Sequence, residues 1–136
     1  MVDDIIINKA ATIERCCDRA RDEYRNAGER FDQDFTRQDA AILNIQRACE
    51  AAIDLAAYLV KRDQLGVPQS SRELFELLYA SNYIEGSMSQ VLKKMVGFRN
   101  TAVHNYQKMH LPILVAIIER HLDDLDRFAS LAVGQA

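Results

Sequence analysis

Residues 3–28 read DDIIINKAATIERCCDRARDEYRNAG, and the placing of their apolar side chains decides the fold class. Ile6, Ala10, Ile13, Cys17, Ala20, Tyr24 and Ala27 recur at steps of three and four, which lays one apolar stripe along one face of a helix. The spacing predicts a first helix over residues 3–28, closed by Gly28. Thr36 followed by Asp39 reads as an N-cap with an acidic first turn. It opens a second helix with Ile42, Ile45, Cys49, Ala52, Ala56 and Leu59 on its stripe, ended by Gly66-Val67-Pro68. Ser70 with Glu73 forms a capping box for a short third helix carrying Leu74, Leu77 and Leu78. Gly86-Ser87 with Gln90 opens a short fourth helix carrying Val91, Met95 and Phe98. An irregular stretch between Phe98 and His110 precedes a last helix from Leu111-Pro112, expected to bury Leu114, Ile117, Ile118, His121, Leu122, Leu125 and Phe128. Strand-like alternation occurs nowhere. The expectation is an all-α antiparallel bundle of about five helices, three long and two short, forming one domain over residues 1–136.

Composition agrees with that reading. Gly and Pro together supply only 7 of 136 residues, too little turn chemistry for a fold of many short strands. Apolar residues make up 49% and charged residues 27%, a balance that excludes disordered and low-complexity chains. Cys16, Cys17 and Cys49 are an odd set with two members adjacent, so neither a disulfide framework nor a zinc site is expected, and a reducing cytoplasm suits them. The start, Met1-Val2-Asp3-Asp4, is acidic where a secretory leader would be basic, and no stretch is apolar enough to span a membrane. A net charge of −3 means that any nucleic-acid binding must be local.

One segment supplies that locality. Residues 86–118 contain no Asp or Glu, although the chain has 20 acidic residues. The same segment holds Lys93, Lys94, Arg99 and Lys108 with two of the three histidines, His104 and His110. Arginine grips phosphate oxygens bidentately and histidine titrates near neutrality, so this pairing suits phosphate binding with proton transfer. Metal-assisted phosphate chemistry needs clustered carboxylates, which the segment does not provide. RNA carries its own nucleophile in the 2′-hydroxyl, for which a base and a phosphate-binding cation would suffice. In a continuous helix Arg99 and His104 would stand roughly 140° apart and share no face. Either the helix breaks between them or a second copy of the chain brings them together across a two-fold axis.

Arg99, Asn100, His104 and Tyr106 form an Arg-x4-His-x-Tyr motif preceded by Gly97-Phe98. With the length and helix order, the chain resembles HEPN-superfamily proteins of the HepT type over essentially its whole extent. The resemblance implies a metal-independent endoribonuclease, the toxin of a type VII toxin–antitoxin pair, with its site at a homodimer interface and no cofactor. It implies that Arg99 and His104 are catalytic and that Asn100 positions them. It further implies tRNA or mRNA as substrate and, as partner, a nucleotidyltransferase antitoxin of the MntA type that silences the toxin by transferring AMP to Tyr106. AMP there would place bulk and negative charge two residues from His104, where an RNA phosphate must sit.

On the residues alone, blander readings stand beside these. Arg99 and His104 would cap a helix, Tyr106 would be a half-buried aromatic, and Lys93, Lys94, Lys108 and His110 would be solvated or would guide RNA. His121 reads as a core or interface histidine, and the three cysteines as small apolar core residues. The acidic runs Asp18 to Glu23 and Glu29 to Asp34 read as solvated surface, or as a dock for the antitoxin. A second function of a different class remains open: a non-catalytic helical module that presents nucleic acid or nucleotide to a partner nucleotidyltransferase.

Overall fold

The computed structural model describes residues 2–104 and 110–136, and within them every regular element is helical. Helix α1 spans Asp4–Ala27, with Asp3 as its N-cap accepting from the Ile5 N–H at 3.1 Å and Gly28 closing it at a φ of +56°. Helices α2 (Phe35–Arg62), α3 (Ser71–Ala80) and α4 (Gly86–His104) follow. The last rod consists of α5 (Leu111–Ala116), a π turn (Ile117–His121) and α6 (Leu122–Val133). The five rods pack around one core in which Ile13, Ile45, Leu55, Leu78, Leu92, Leu125 and Phe128 are almost wholly buried, with Phe75 edge-on to Phe128 at 5.8 Å. The all-α bundle predicted from the apolar stripes is the fold observed.

Four local expectations are corrected. The cap of α2 is Asp34 and not Thr36: its carboxylate accepts from the Arg37 N–H at 3.0 Å, where an anion is favoured over a hydroxyl by the helix dipole. The same helix stops at Arg62, before Gly66, because Gln64 takes the left-handed conformation (φ +54°) and Leu65 N–H bonds back to Val60 C=O, a Schellman closure built without glycine. The fourth helix is not short. It runs for 19 residues through Arg99 and Asn100 to His104, so the expected irregular stretch is helical up to His104; nothing between Phe98 and His104 breaks a helix.

The last helix contains the fourth correction. Leu122 N–H bonds to Ile117 C=O, five residues back, and this wide turn shifts the register of the apolar stripe. Leu114, Ile117, Ile118, Leu122, Leu125 and Phe128 are buried as expected, but His121 is turned outward with 37% of its side chain exposed and its Nδ1 3.3 Å from Asp124. The Ser70–Glu73 capping box is present: Glu73 N–H donates to Ser70 Oγ at 3.2 Å, and Glu73 returns the bond one residue further out, to Gln69 N–H.

One end of the bundle is tied by a cluster that joins four parts of the chain. Tyr58 donates to Asp3 at 2.6 Å, Arg62 pairs with Asp63 at 2.8 Å and reaches the Gln135 C=O, and Tyr83 donates to Asp63. Helix α4 starts three residues after Tyr83, at this tied end, and its 19 residues carry His104 about 27 Å away. Near the other end Arg21 bridges Asp18, Asp123 and Asp126 at 2.7–3.1 Å and Arg37 pairs with Glu23 at 3.0 Å, while Glu29 and Asp32 of the acidic runs are exposed.

Hydrogen bonds from Arg62 and Tyr83 hold the Asp63 carboxyl below its ordinary value. A depressed carboxyl stabilises the fold above the unfolded pKa, near 4, and that contribution is lost as pH falls through the lower folded value. Asp63→Asn is therefore expected to lower Tm most above about pH 4, with the gap from wild type closing under more acid conditions. A gap that is constant with pH would contradict the assignment.

Candidate functional site on helix α4

Helix α4 presents three faces, and the motif residues are divided among them. Met88, Leu92, Met95 and Val96 form the buried stripe, and Arg99 continues it at the next turn. The arginine thus enters the site from the core side. Its Nε is buried with no hydrogen-bond partner, and no carboxylate among the described residues forms an ion pair with its guanidinium. Its charge reaches the buried thiol of Cys49 on α2: burial pushes Cys49 up to about 12, and Arg99 pulls the other way. All three cysteines are buried, as their apolar neighbours predict.

The second face carries Lys93, Gly97, Asn100 and His104, spaced four, three and four apart. Asn100 is half-buried and His104 is exposed. The third face carries Val91, Lys94, Phe98 and Thr101, and with Ile113 and Ile117 it walls a largely apolar cleft of about 480 Å³ between α4 and the last rod. His110 and His121 also border that cleft.

Because α4 is continuous from Arg99 to His104, the first of the two ways of uniting them is removed. Within one chain they stand about 7.5 Å apart along the axis and roughly 140° around it. Asn100 and His104, one turn apart, do share a face. The three described cationic candidates are separated: Lys93 pairs with Glu76 of α3 at 2.9 Å, while Lys94 and exposed His110 lie at the cleft. Lys108 and Tyr106 lie outside the described residues. Among the described residues no group of three His, Cys, Asp or Glu is placed to hold a metal, and no helix is long and apolar enough to cross a membrane.

Sequence reasoning missed one residue here. Arg72, at the start of α3, lies against Gly97 so closely that a Cβ built on the glycine would be 3.0 Å from Arg72 Nη2. The available signal was Gly97 itself, since a glycine inside a helix costs about 1 kcal/mol relative to alanine and marks a close approach.

The class defined by this architecture is an all-helical bundle with an Arg-x4-His pair on one unbroken helix, inside a basic, acid-free segment. Residues 13–132 match the family described as Ribonuclease HepT-like, and the chain belongs to that family. It is 52% identical over 127 residues to the mRNA nuclease HepT of Shewanella oneidensis, an alignment covering 93% of this chain and 95% of that one. Its fold superposes with a TM-score of 0.89 on the tri-AMPylated Shewanella oneidensis HEPN toxin in complex with its MNT antitoxin, at 50% identity and covering 95% and 96% of the two chains. A toxin–antitoxin structure with AMP-PNP gives a TM-score of 0.88 at 49% identity, covering 96% and 98%.

Placing a guanidinium on a core stripe without a buried acceptor costs stability, typically about 1–3 kcal/mol. Arg99→Met, which keeps the apolar stem and removes the unsatisfied donor, is expected to match or exceed wild-type stability by about 1 kcal/mol in urea unfolding, with RNA cleavage lost. A destabilisation beyond about 2 kcal/mol would show that the guanidinium is a structural element.

Proposed function

We propose that this chain is an endoribonuclease toxin of a toxin–antitoxin pair, in which Arg99 and His104 cleave RNA without a metal. The observation that carries the roles is the Arg99 guanidinium, delivered along the core stripe, with a buried Nε and no protein anion to neutralise it among the described residues. A phosphate diester supplies that anion. The 52% identical mRNA nuclease supports RNA as the substrate class.

In the reaction His104 takes the proton of a ribose 2′-hydroxyl. The 2′-oxygen then attacks the adjacent phosphorus, and the bond to the 5′-oxygen of the next nucleotide breaks, leaving a 2′,3′-cyclic phosphate and a 5′-hydroxyl. Arg99 holds the non-bridging oxygens, whose charge grows in the pentavalent transition state, and a fixed cation stabilises that state more than the ground state. Asn100, one turn from His104, positions the imidazole or the phosphate. The proton for the leaving 5′-oxygen comes from a second group, for which Tyr106 is the motif's candidate. The separation of Arg99 from His104 around α4 supports the homodimer as the working unit, in which one copy's arginine faces the other's histidine.

The AMPylated HEPN toxin bound to its MNT antitoxin supports control by a nucleotidyltransferase partner. Tyr106, two residues beyond His104, is the acceptor in this reading. An AMP group there puts an anion where the RNA phosphate must sit, so substrate is excluded by charge and by bulk.

Purified wild type incubated with labelled cellular RNA in excess EDTA is expected to produce fragments ending in 2′,3′-cyclic phosphate or 3′-phosphate, and His104→Ala is expected to lose at least 100-fold in rate, about the least a general acid–base group contributes. Incubation with the nucleotidyltransferase and ATP should stop cleavage by wild type and label it with AMP, whereas Tyr106→Phe should take up no AMP at this position. No cleavage by folded wild-type dimer would overturn the enzyme reading and favour the binding module.

A further inference from the structure

We propose that Arg72 binds an RNA phosphate flanking the scissile one, forming with Gly97, Asn100 and His104 a phosphate subsite that extends the motif along α4 and rests on the ribonuclease reading above. Arg72 is on a different helix from the motif and outside the acid-free segment, so neither spacing nor charge counting reaches it.

Three observations place it there. Gly97, Asn100 and His104 lie on one face of α4, with Gly97 seven residues, about 10.5 Å, before His104. Arg72 Nη2 lies 3.0 Å from where a Cβ at 97 would stand, which seats a planar five-donor cation on this face. Glu76 stands one turn beyond Arg72 on α3 and would be its natural neutralising partner, yet Glu76 is engaged by Lys93 at 2.9 Å. No described carboxylate pairs with Arg72, so the face keeps an exposed guanidinium whose charge is not cancelled.

A polyanion fits that arrangement better than a lone phosphate would. An RNA strand with its scissile phosphate at Arg99 and His104 must run on past the site, and continuing along the Asn100–Gly97 face brings a neighbouring phosphate to Arg72. Its contribution is to affinity and register and not to bond breaking. It therefore belongs in KM more than in kcat.

The test is binding of a short single-stranded RNA, 2′-O-methylated throughout so that it cannot be cleaved, measured over a range of salt concentrations, alongside cleavage kinetics on the unmodified strand. Arg72→Ala is expected to weaken binding about tenfold, to make the slope of log affinity against log salt shallower by about 0.7 for each phosphate it leaves without a cation, and to raise KM with kcat within about twofold. Arg72→Lys should recover most of the affinity, because it restores the charge. Wild-type affinity and salt slope in Arg72→Ala, with wild type still cleaving RNA, would overturn the subsite alone. Wild type that neither binds nor cleaves RNA would bring down the ribonuclease reading and the subsite with it.

Discussion

Helix α4 has to bury one face along its length while ending that face in a charge. Met88, Leu92, Met95 and Val96 fix how the helix is rotated against α2 and α3, and that rotation sends Arg99 inward. An apolar residue at 99 would extend the core by one turn. An arginine there is held on the stripe by its stem, with its buried Nε unsatisfied. The site is thus assembled by the same packing that stabilises the bundle, and the rest of the architecture serves to keep α4 in that rotation. The cluster of Asp3, Tyr58, Arg62, Asp63 and Tyr83 anchors the end where α4 begins, and the π turn in the last rod lets its apolar stripe stay against the core across an irregular join.

The division of α4 into faces also sets Arg99 apart from Asn100 and His104. Arg99 approaches from the core, Asn100 and His104 stand on the face where Arg72 sits over Gly97, and Lys94 looks into the apolar cleft. A single chain cannot place Arg99 and His104 on the same phosphate without bending a helix that has no reason to bend. In the proposed mechanism activity then depends on a second copy, and AMP near His104 would block a site to which both copies contribute.

Much of this was legible in the sequence, and the failures have identifiable causes. The stripes beginning at Ile6 and Ile42, and the Ser70–Glu73 box, are strong local signals, and they survive because tertiary packing agrees with them. The Arg-x4-His pair falls on α4, and the acid-free segment covers α4 and runs on to the start of the last rod. Thr36 lost its cap to Asp34, because a carboxylate outcompetes a hydroxyl for the same N–H groups. His121 left the core because the periodic pattern assumes 3.6 residues per turn, and the π turn breaks that count. The length of α4 was underestimated because a polar run such as Arg99-Asn100-Thr101 reads as loop, although it contains no breaker. Arg72 went unnoticed because it stands on another helix, and Gly97, the local signal of a close approach, does not say which residue approaches.

If one unbroken helix forces the site to be shared between two copies, complementation in mixed dimers must reveal it. Arg99→Ala and His104→Ala chains, each inactive alone, are co-expressed with different tags, and the mixed species is assayed for RNA cleavage. A shared site predicts recovery to about a quarter of wild-type activity on random mixing, since about half of the dimers are mixed and each keeps one of two intact pairings. Mixed dimers that form but cleave no more than either variant alone would mean that Arg99 and His104 act from the same chain, and the shared site would be wrong.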